Sequence, residues 1–157
     1  MCELGLSDGS MLKELLVAFG IVAVCLLLHV TGIVFLADWM VDHREKRKDR
    51  MGAFGYGVLL IAAFSAIITL HMLEVVIWAV FYFGNSLFQD FETALYFSIT
   101  SYTTIGFGDV VLPRAWRMLG GIEGVTGVLL CGLSTAFVFA IVNAMFQVRL
   151  QRRTNSR

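Results

Sequence analysis

Charge is scarce in this sequence: Asp, Glu, Lys and Arg make up 15% of its 157 residues, where a soluble domain carries about a quarter. Twelve basic and twelve acidic side chains cancel, so no net field gathers nucleic acid or an acidic partner. The single proline, Pro113, excludes a proline-rich linker protein, and three scattered cysteines at positions 2, 25 and 131 exclude a paired disulfide scaffold. Cys25 and Cys131 fall inside long apolar runs, where cysteine reads as a small apolar residue. His29, His43 and His71 show no ligand spacing and no nucleophile–base constellation accompanies them, so neither an enzyme nor a cofactor is expected. What is abundant is hydrophobic side chain, 58% of the total. That excludes a disordered chain and a soluble enzyme of ordinary composition, and it points to an all-α membrane protein.

A spanning helix needs about 20 consecutive apolar residues. Residues 15–37, 51–73 and 124–148 form stretches of 23, 23 and 25 residues without Asp, Glu, Lys or Arg, and the second stays apolar to about Phe83. The loop 41–50 holds Arg44, Lys46, Arg47, Lys48 and Arg50, and the tail holds Arg149, Arg152, Arg153 and Arg157. Basic flanks stay in the cytoplasm, and the second and third spans provide the even number of crossings that two cytoplasmic flanks require. The segment 84–117 is then external, as is the acidic N-terminus with Glu3 and Asp8. The first residues lack the basic start of a cleavable signal, so the first span is expected to remain as a reverse-oriented anchor.

Between the second and third spans lies Asp90-Phe-Glu-Thr-Ala-Leu-Tyr-Phe-Ser-Ile-Thr-Ser-Tyr-Thr-Thr-Ile-Gly-Phe-Gly-Asp109. Asp90 is a helix-capping residue with Glu92 and Thr93 in the first turn, and residues 91–102 contain no glycine or proline. Twelve helical residues cover about 18 Å, too little to cross the hydrocarbon, so the segment reads as a re-entrant helix sheltered by protein. It leads into Thr103-Thr104-Ile105-Gly106-Phe107-Gly108-Asp109.

That stretch resembles the selectivity filter of the potassium channel pore-domain family, whose pore is lined by backbone carbonyls. The similarity covers about residues 52–148; the first span has no counterpart in the minimal two-helix pore. Aiming successive carbonyls at one axis demands left-handed backbone, costly except at glycine, and Gly106 and Gly108 stand at alternate positions. The resemblance implies that the carbonyls of Thr104, Ile105, Gly106 and Phe107 coordinate K+, the permeant ion, with Gly108 in the same filter. Thr104 would add a hydroxyl at the innermost site and Asp109 would sit at the external mouth. Tyr96, Thr100, Thr103 and Glu123 are expected to support the filter alongside Asp109; Glu123 resembles an acidic residue of small bacterial channels that bonds the pore helix or filter backbone. Phe107 stands where the common filter has a tyrosine whose hydroxyl bonds the pore helix, a loss of about 0.5–1.5 kcal/mol per subunit. Filters of two-pore-domain potassium channels often carry the same Gly-Phe-Gly. One filter per chain implies a homotetramer, since the carbonyl cage needs four strands.

The expected architecture is therefore three transmembrane helices plus a re-entrant pore helix and selectivity filter in a tetrameric pore. Residues 1–50 hold the external N-terminus, the extra helix and the basic loop. Residues 51–148 form the pore domain, with an outer helix about 51–83, pore helix about 90–102, filter 103–109 and inner helix about 116–148; residues 149–157 are a cytoplasmic tail. Gly132, Ala136, Ala140 and Ala144 recur every four residues on the inner helix, as a cavity wall or as a close helix-packing face. Gly120, Gly121, Gly124 and Gly127 are expected to pack on the pore helix, and Gly127 and Gly132 are also candidate hinge points. Phe137, Ile141 and Met145 form an apolar constriction or face lipid and neighbouring helices. His71 and Glu74, three apart, read as a satisfied pair or a pH sensor, and His29 stands alone between helices. No span carries regularly placed arginines, so gating is expected from the pore, lipid, pH or a partner. The expected function is passive, K+-selective conduction, in the bacterial inner membrane by analogy. The alternative is a weakly selective monovalent cation channel, and beyond it a non-conducting subunit or scaffold.

Overall fold

The computed structural model describes residues 7–46 and 53–154, with side chains over 12–43 and 54–147. The basic side chains of 44–50 and 149–157, on which the sequence-based orientation rests, lie outside the described residues. The order is α1 (Ser7–Lys46), α2 (Ala53–Gly84), α3 (Phe91–Tyr102), a 3-10 turn (Arg114–Trp116) and α4 (Arg117–Thr154). No strand occurs among the described residues. None of these α-helices contains proline, whose missing N–H and ring would break the ladder; Pro113 instead stands immediately before the 3-10 turn.

Among the described residues, three segments are long and apolar enough to cross a membrane: Leu12–His43, Phe54–Gly84 and Arg114–Gln147. Large apolar side chains cover their outer surfaces, among them Phe19, Leu27, Phe35, Ile61, Val80 and Phe139. In water so extensive an exposed apolar face would aggregate; in lipid it meets its own kind.

Three levels of contact set the helices in register. At one end the Glu14 carboxylate of α1 accepts from the Met118 and Leu119 N–H groups of α4 at 2.7 and 3.2 Å. In the middle, His29 of α1 reaches Glu74 of α2 at 2.7 Å and Ser134 of α4 at 2.9 Å. At the other end Leu36 and Met40 pack with Leu59, Ala63 and Ile67, against which Phe137, Val138 and Ile141 rest. Hence α1 runs parallel to α4 and antiparallel to α2. Helix α1 is fastened along its length to the other helices, and Glu14 supplies the negative charge that a helix N-terminus favours.

The short helix α3 sits in the cleft between α2 and α4. Phe97 packs its ring on Tyr82 and Phe88, centroids 5.3 and 5.2 Å apart, within a core that includes Val75, Trp78, Ala94, Tyr102 and Leu119. Helix α3 starts at Asp90, which has extended backbone and takes both the Thr93 N–H (2.7 Å) and the Thr93 hydroxyl (2.9 Å). These bonds hold the Asp90 carboxyl below its ordinary range. A lowered carboxyl stabilises the fold above its unfolded value and ceases to do so as pH falls through the folded value. The α3 cap is therefore expected to loosen in acid. Asp90→Ala should lower the thermal midpoint at neutral pH and erase that acid-dependent part of the profile; unchanged melting at both pH extremes would contradict the cap assignment.

Candidate functional site

At the C-terminal end of α3 the chain leaves the helix without losing contact with it. Thr103 retains helical backbone (φ −81°, ψ −1°) and its N–H reaches the Ile99 carbonyl at 3.1 Å. Thr104 N–H bonds the Ser101 carbonyl at 2.9 Å and Gly106 N–H bonds the Thr100 carbonyl at 3.0 Å. In a trans peptide the N–H and C=O point opposite ways, and no cis bond occurs among the described residues. The carbonyls of Thr103 and Ile105 therefore point away from the end of α3.

The backbone continues this pattern. Thr104, Gly106 and Gly108 have φ of 60°, 51° and 80°, while Ile105 and Phe107 are not left-handed. In an ordinary strand successive carbonyls alternate between faces; alternating handedness rotates every second peptide and gathers them on one side. Gly106 and Gly108 adopt this at little cost because they have no Cβ. Thr104 does not have that freedom, and left-handed backbone at a β-branched residue is an outlier that surrounding structure must hold. The bond from its N–H to Ser101 provides part of that hold.

The other sequence-predicted residues fall in distinct places. Glu123 of α4 is fully buried behind α3, where its carboxylate accepts from the Ser98 hydroxyl at 2.5 Å and the Tyr82 hydroxyl at 2.7 Å, so one side chain joins α2, α3 and α4. Glu123→Ala is expected to strand the buried Tyr82 hydroxyl at about 1–3 kcal/mol per chain, read as a drop in unfolding temperature. Glu123→Gln keeps an acceptor and should recover most of it; equal loss in both variants would mean that charge, not hydrogen bonding, matters there. Thr100 is buried and bonds the Phe97 carbonyl at 3.0 Å. At the far end of residues 103–109 the Tyr96 hydroxyl donates to Asp109 at 2.9 Å. That bond holds the Tyr96 phenol above its ordinary range, since ionisation would set a phenolate against the Asp109 carboxylate.

Gly127 and Gly132 do not share an environment. A Cβ on Gly127 would run into the Tyr102 carbonyl oxygen, and one on Gly124 would come within 3.1 Å of the Ser101 carbonyl, so this face of α4 lies directly against the end of α3. Gly120 faces Phe97, whereas Gly121 and Gly132 meet nothing within 4 Å. Ala136, Ala140 and Ala144 are exposed with Gly132 along one edge of α4. Phe137 and Ile141 are half-buried against the Leu36–Ile67 cluster of α1 and α2. An open groove of about 460 Å³ flanks the segment that follows α3, with Thr100, Ser101, Thr104 and Gly106 on one wall and Gly121, Gly124, Val125 and Val128 of α4 among the others.

Three features were not read from the sequence. The sequence singles out Thr104 for its hydroxyl, and nothing local marks it as left-handed. Glu14 borders the first apolar run, but its target lies 104 residues away. His29, treated as solitary, meets His71, Glu74, Tyr102 and Ser134 in one buried cluster.

The family described as "Ion channel" matches residues 58–144, more than half of the sequence and the whole stretch from early α2 through α3 and residues 103–109 into α4. The chain belongs to this ion channel family. A calcium-gated potassium channel of Thermoplasma volcanium is 35% identical over 66 residues, which is 41% of this chain and 18% of that protein. The chain thus spans about a fifth of the length of that relative. No solved structure matches. The resemblance to the potassium channel pore-domain family agrees with both findings. With three apolar spanning helices, this ion channel protein is an all-α, multi-pass membrane protein, and its family is one of channels rather than enzymes.

Proposed function

We propose that the chain is one subunit of a homotetrameric, K+-selective channel, with the carbonyls of Thr104, Ile105, Gly106 and Phe107 as the ion ligands. The observation that carries this is the alternation of left-handed backbone at Thr104, Gly106 and Gly108 directly after a capped helix. Such backbone gives a dehydrated cation a column of oxygens in place of water. A single column gives oxygens on one side only, and four around an axis complete the cage. Ile105 and Phe107 are 55% and 70% exposed in the single chain, and the groove beside the filter is open; neighbouring subunits cover both. The identity to a potassium channel spans a limited stretch but supports K+ over other ions.

The start of α1 and the start of α4 lie at one end of the bundle through Glu14. Together with the basic loop and tail, this supports an external N-terminus and a cytoplasmic C-terminus. Native mass spectrometry of the detergent-solubilised protein should give four chains, and liposomes holding it should take up K+ much faster than Na+. A monomeric mass, or equal uptake of both ions, would overturn the reading.

A further inference from the structure

The cluster at the middle of the bundle has a proton count of its own. His29 of α1 places Nδ1 2.7 Å from Glu74 Oε1 and Nε2 2.9 Å from Ser134 Oγ. His71 of α2 places Nδ1 2.8 Å from the Tyr102 hydroxyl and Nε2 3.1 Å from the same Ser134 Oγ. Tyr102, the last residue of α3, donates to Glu74 Oε2. His29 and Glu74 are fully buried, and Ser134 and Tyr102 nearly so.

Each of these five contacts needs one hydrogen. Tyr102 has one and gives it to Glu74, so His71 Nδ1–H donates to the Tyr102 oxygen. His29 Nδ1–H donates to the carboxylate. Both Nε2 atoms then face Ser134, which has a single proton. With neutral imidazoles and an ionised Glu74 the cluster holds four hydrogens for five contacts and carries one negative charge. One proton from solvent fills the fifth contact and brings the charge to zero, which burial at membrane depth favours. The other titratable groups facing the cluster are Cys131 of α4, with Sγ 3.9 Å from His71 Nε2, and Cys25 of α1, within electrostatic reach of Glu74 and Glu123. Glu123 itself is engaged by Ser98 and Tyr82.

We propose that His29, His71, Glu74, Tyr102 and Ser134 form a buried proton-binding site that joins all four helices to the start of the filter. Proton-loaded, every contact is made and Tyr102 is held one residue before Thr103. As pH rises through the site's midpoint the extra proton leaves, two lone pairs face each other at Ser134 or Glu74, and the joint between α1, α2 and α4 opens. These side chains are also metal-ligand types, their ligand atoms all lying within 4.8 Å of one another. The 2.7 Å from His29 to Glu74 is a hydrogen-bond distance, however, whereas ligands around a tetrahedral zinc at about 2.0–2.1 Å stand roughly 3.3 Å apart. The proton is the better fit.

The test uses the full-length protein in a His43→Gln background, so that only the two cluster imidazoles report. Nitrogen-15 NMR from about pH 5 to about pH 10 covers the ordinary imidazole and phenol ranges. One proton per chain should be lost across a single transition shared by both rings. Protection of the Thr103 and Thr104 amides, taken against the intrinsic exchange rate at each pH, should fall over the same range by roughly fivefold or more, the factor that one lost hydrogen bond carries. Glu74→Gln supplies two N–H groups and an acceptor without titrating; it should fold, and the protection of those two amides should be flat with pH. No shared transition, a Glu74→Gln profile like the original, or stoichiometric zinc bound by the purified protein would each overturn the proposal. The link to conduction rests on the channel reading, but the NMR and exchange measurements do not. An intact transition in a protein that conducts at no pH would leave the proton site standing and count against the channel.

Discussion

Gly106→Ala is expected to abolish selective K+ flux while leaving the helices folded. Gly106 has φ 51°, where a Cβ costs about 1–2 kcal/mol, or about 4–8 kcal/mol over four subunits turning together. The penalty is one of handedness, because a Cβ there would meet nothing within 4 Å of the chain. The backbone relieves it by rotating the preceding peptide, which gives up the bond from Gly106 N–H to Thr100 and swings the Ile105 carbonyl off the axis. D-alanine introduced at 106 by semisynthesis prefers left-handed backbone and should conduct. Gly20→Ala, on an exposed helical position of α1 with equal room, should behave as the unmodified protein. Wild-type flux through Gly106→Ala would remove the reason for reading this segment as a filter.

Gly127→Ala is expected to act on assembly and stability as well as flux. The added Cβ would fall on the Tyr102 carbonyl, which is backbone at the end of α3 and cannot swing aside as a side chain does. Either α4 withdraws from α3 or the start of the filter moves; overpacking of this kind costs about 1–3 kcal/mol per site, repeated in each subunit. The yield of folded tetramer should fall sharply, and what remains should conduct poorly. Gly57→Ala, on an exposed position of α2 where nothing lies within 4 Å, is the control. Indistinguishable tetramer yields for the two variants would show that α3 and α4 are not held this closely.

Much of the architecture was legible because its signals are local. A span declares itself by twenty-odd uncharged residues, and a short helix by a capping Asp90 and an unbroken run to Tyr102. Gly106 and Gly108 announce left-handed backbone because few other residues tolerate it. What could not be read depends on which helix faces meet. Thr104 is held left-handed by the structure around it, its bond to Ser101 included, and not through its own preference. Phe137 and Ile141 have a sequence pattern equally suited to a pore lining, a lipid face or the α1–α2 contact they make here. His29 finds partners 45 and 105 residues away, and Glu14 one 104 residues away, so the first helix looked like an appendage. Those contacts tie it to the same elements that position the proposed filter.

The most direct test of the central claim is the reversal potential of the purified protein in a planar bilayer, with K+ on one side and Na+ on the other. A filter built from the carbonyls of Thr104 to Phe107 should hold it close to the K+ equilibrium potential, and Gly106→Asp should abolish the current. Reversal near zero would contradict the account, because a segment that passes Na+ as readily as K+ does not present the ordered cage proposed here.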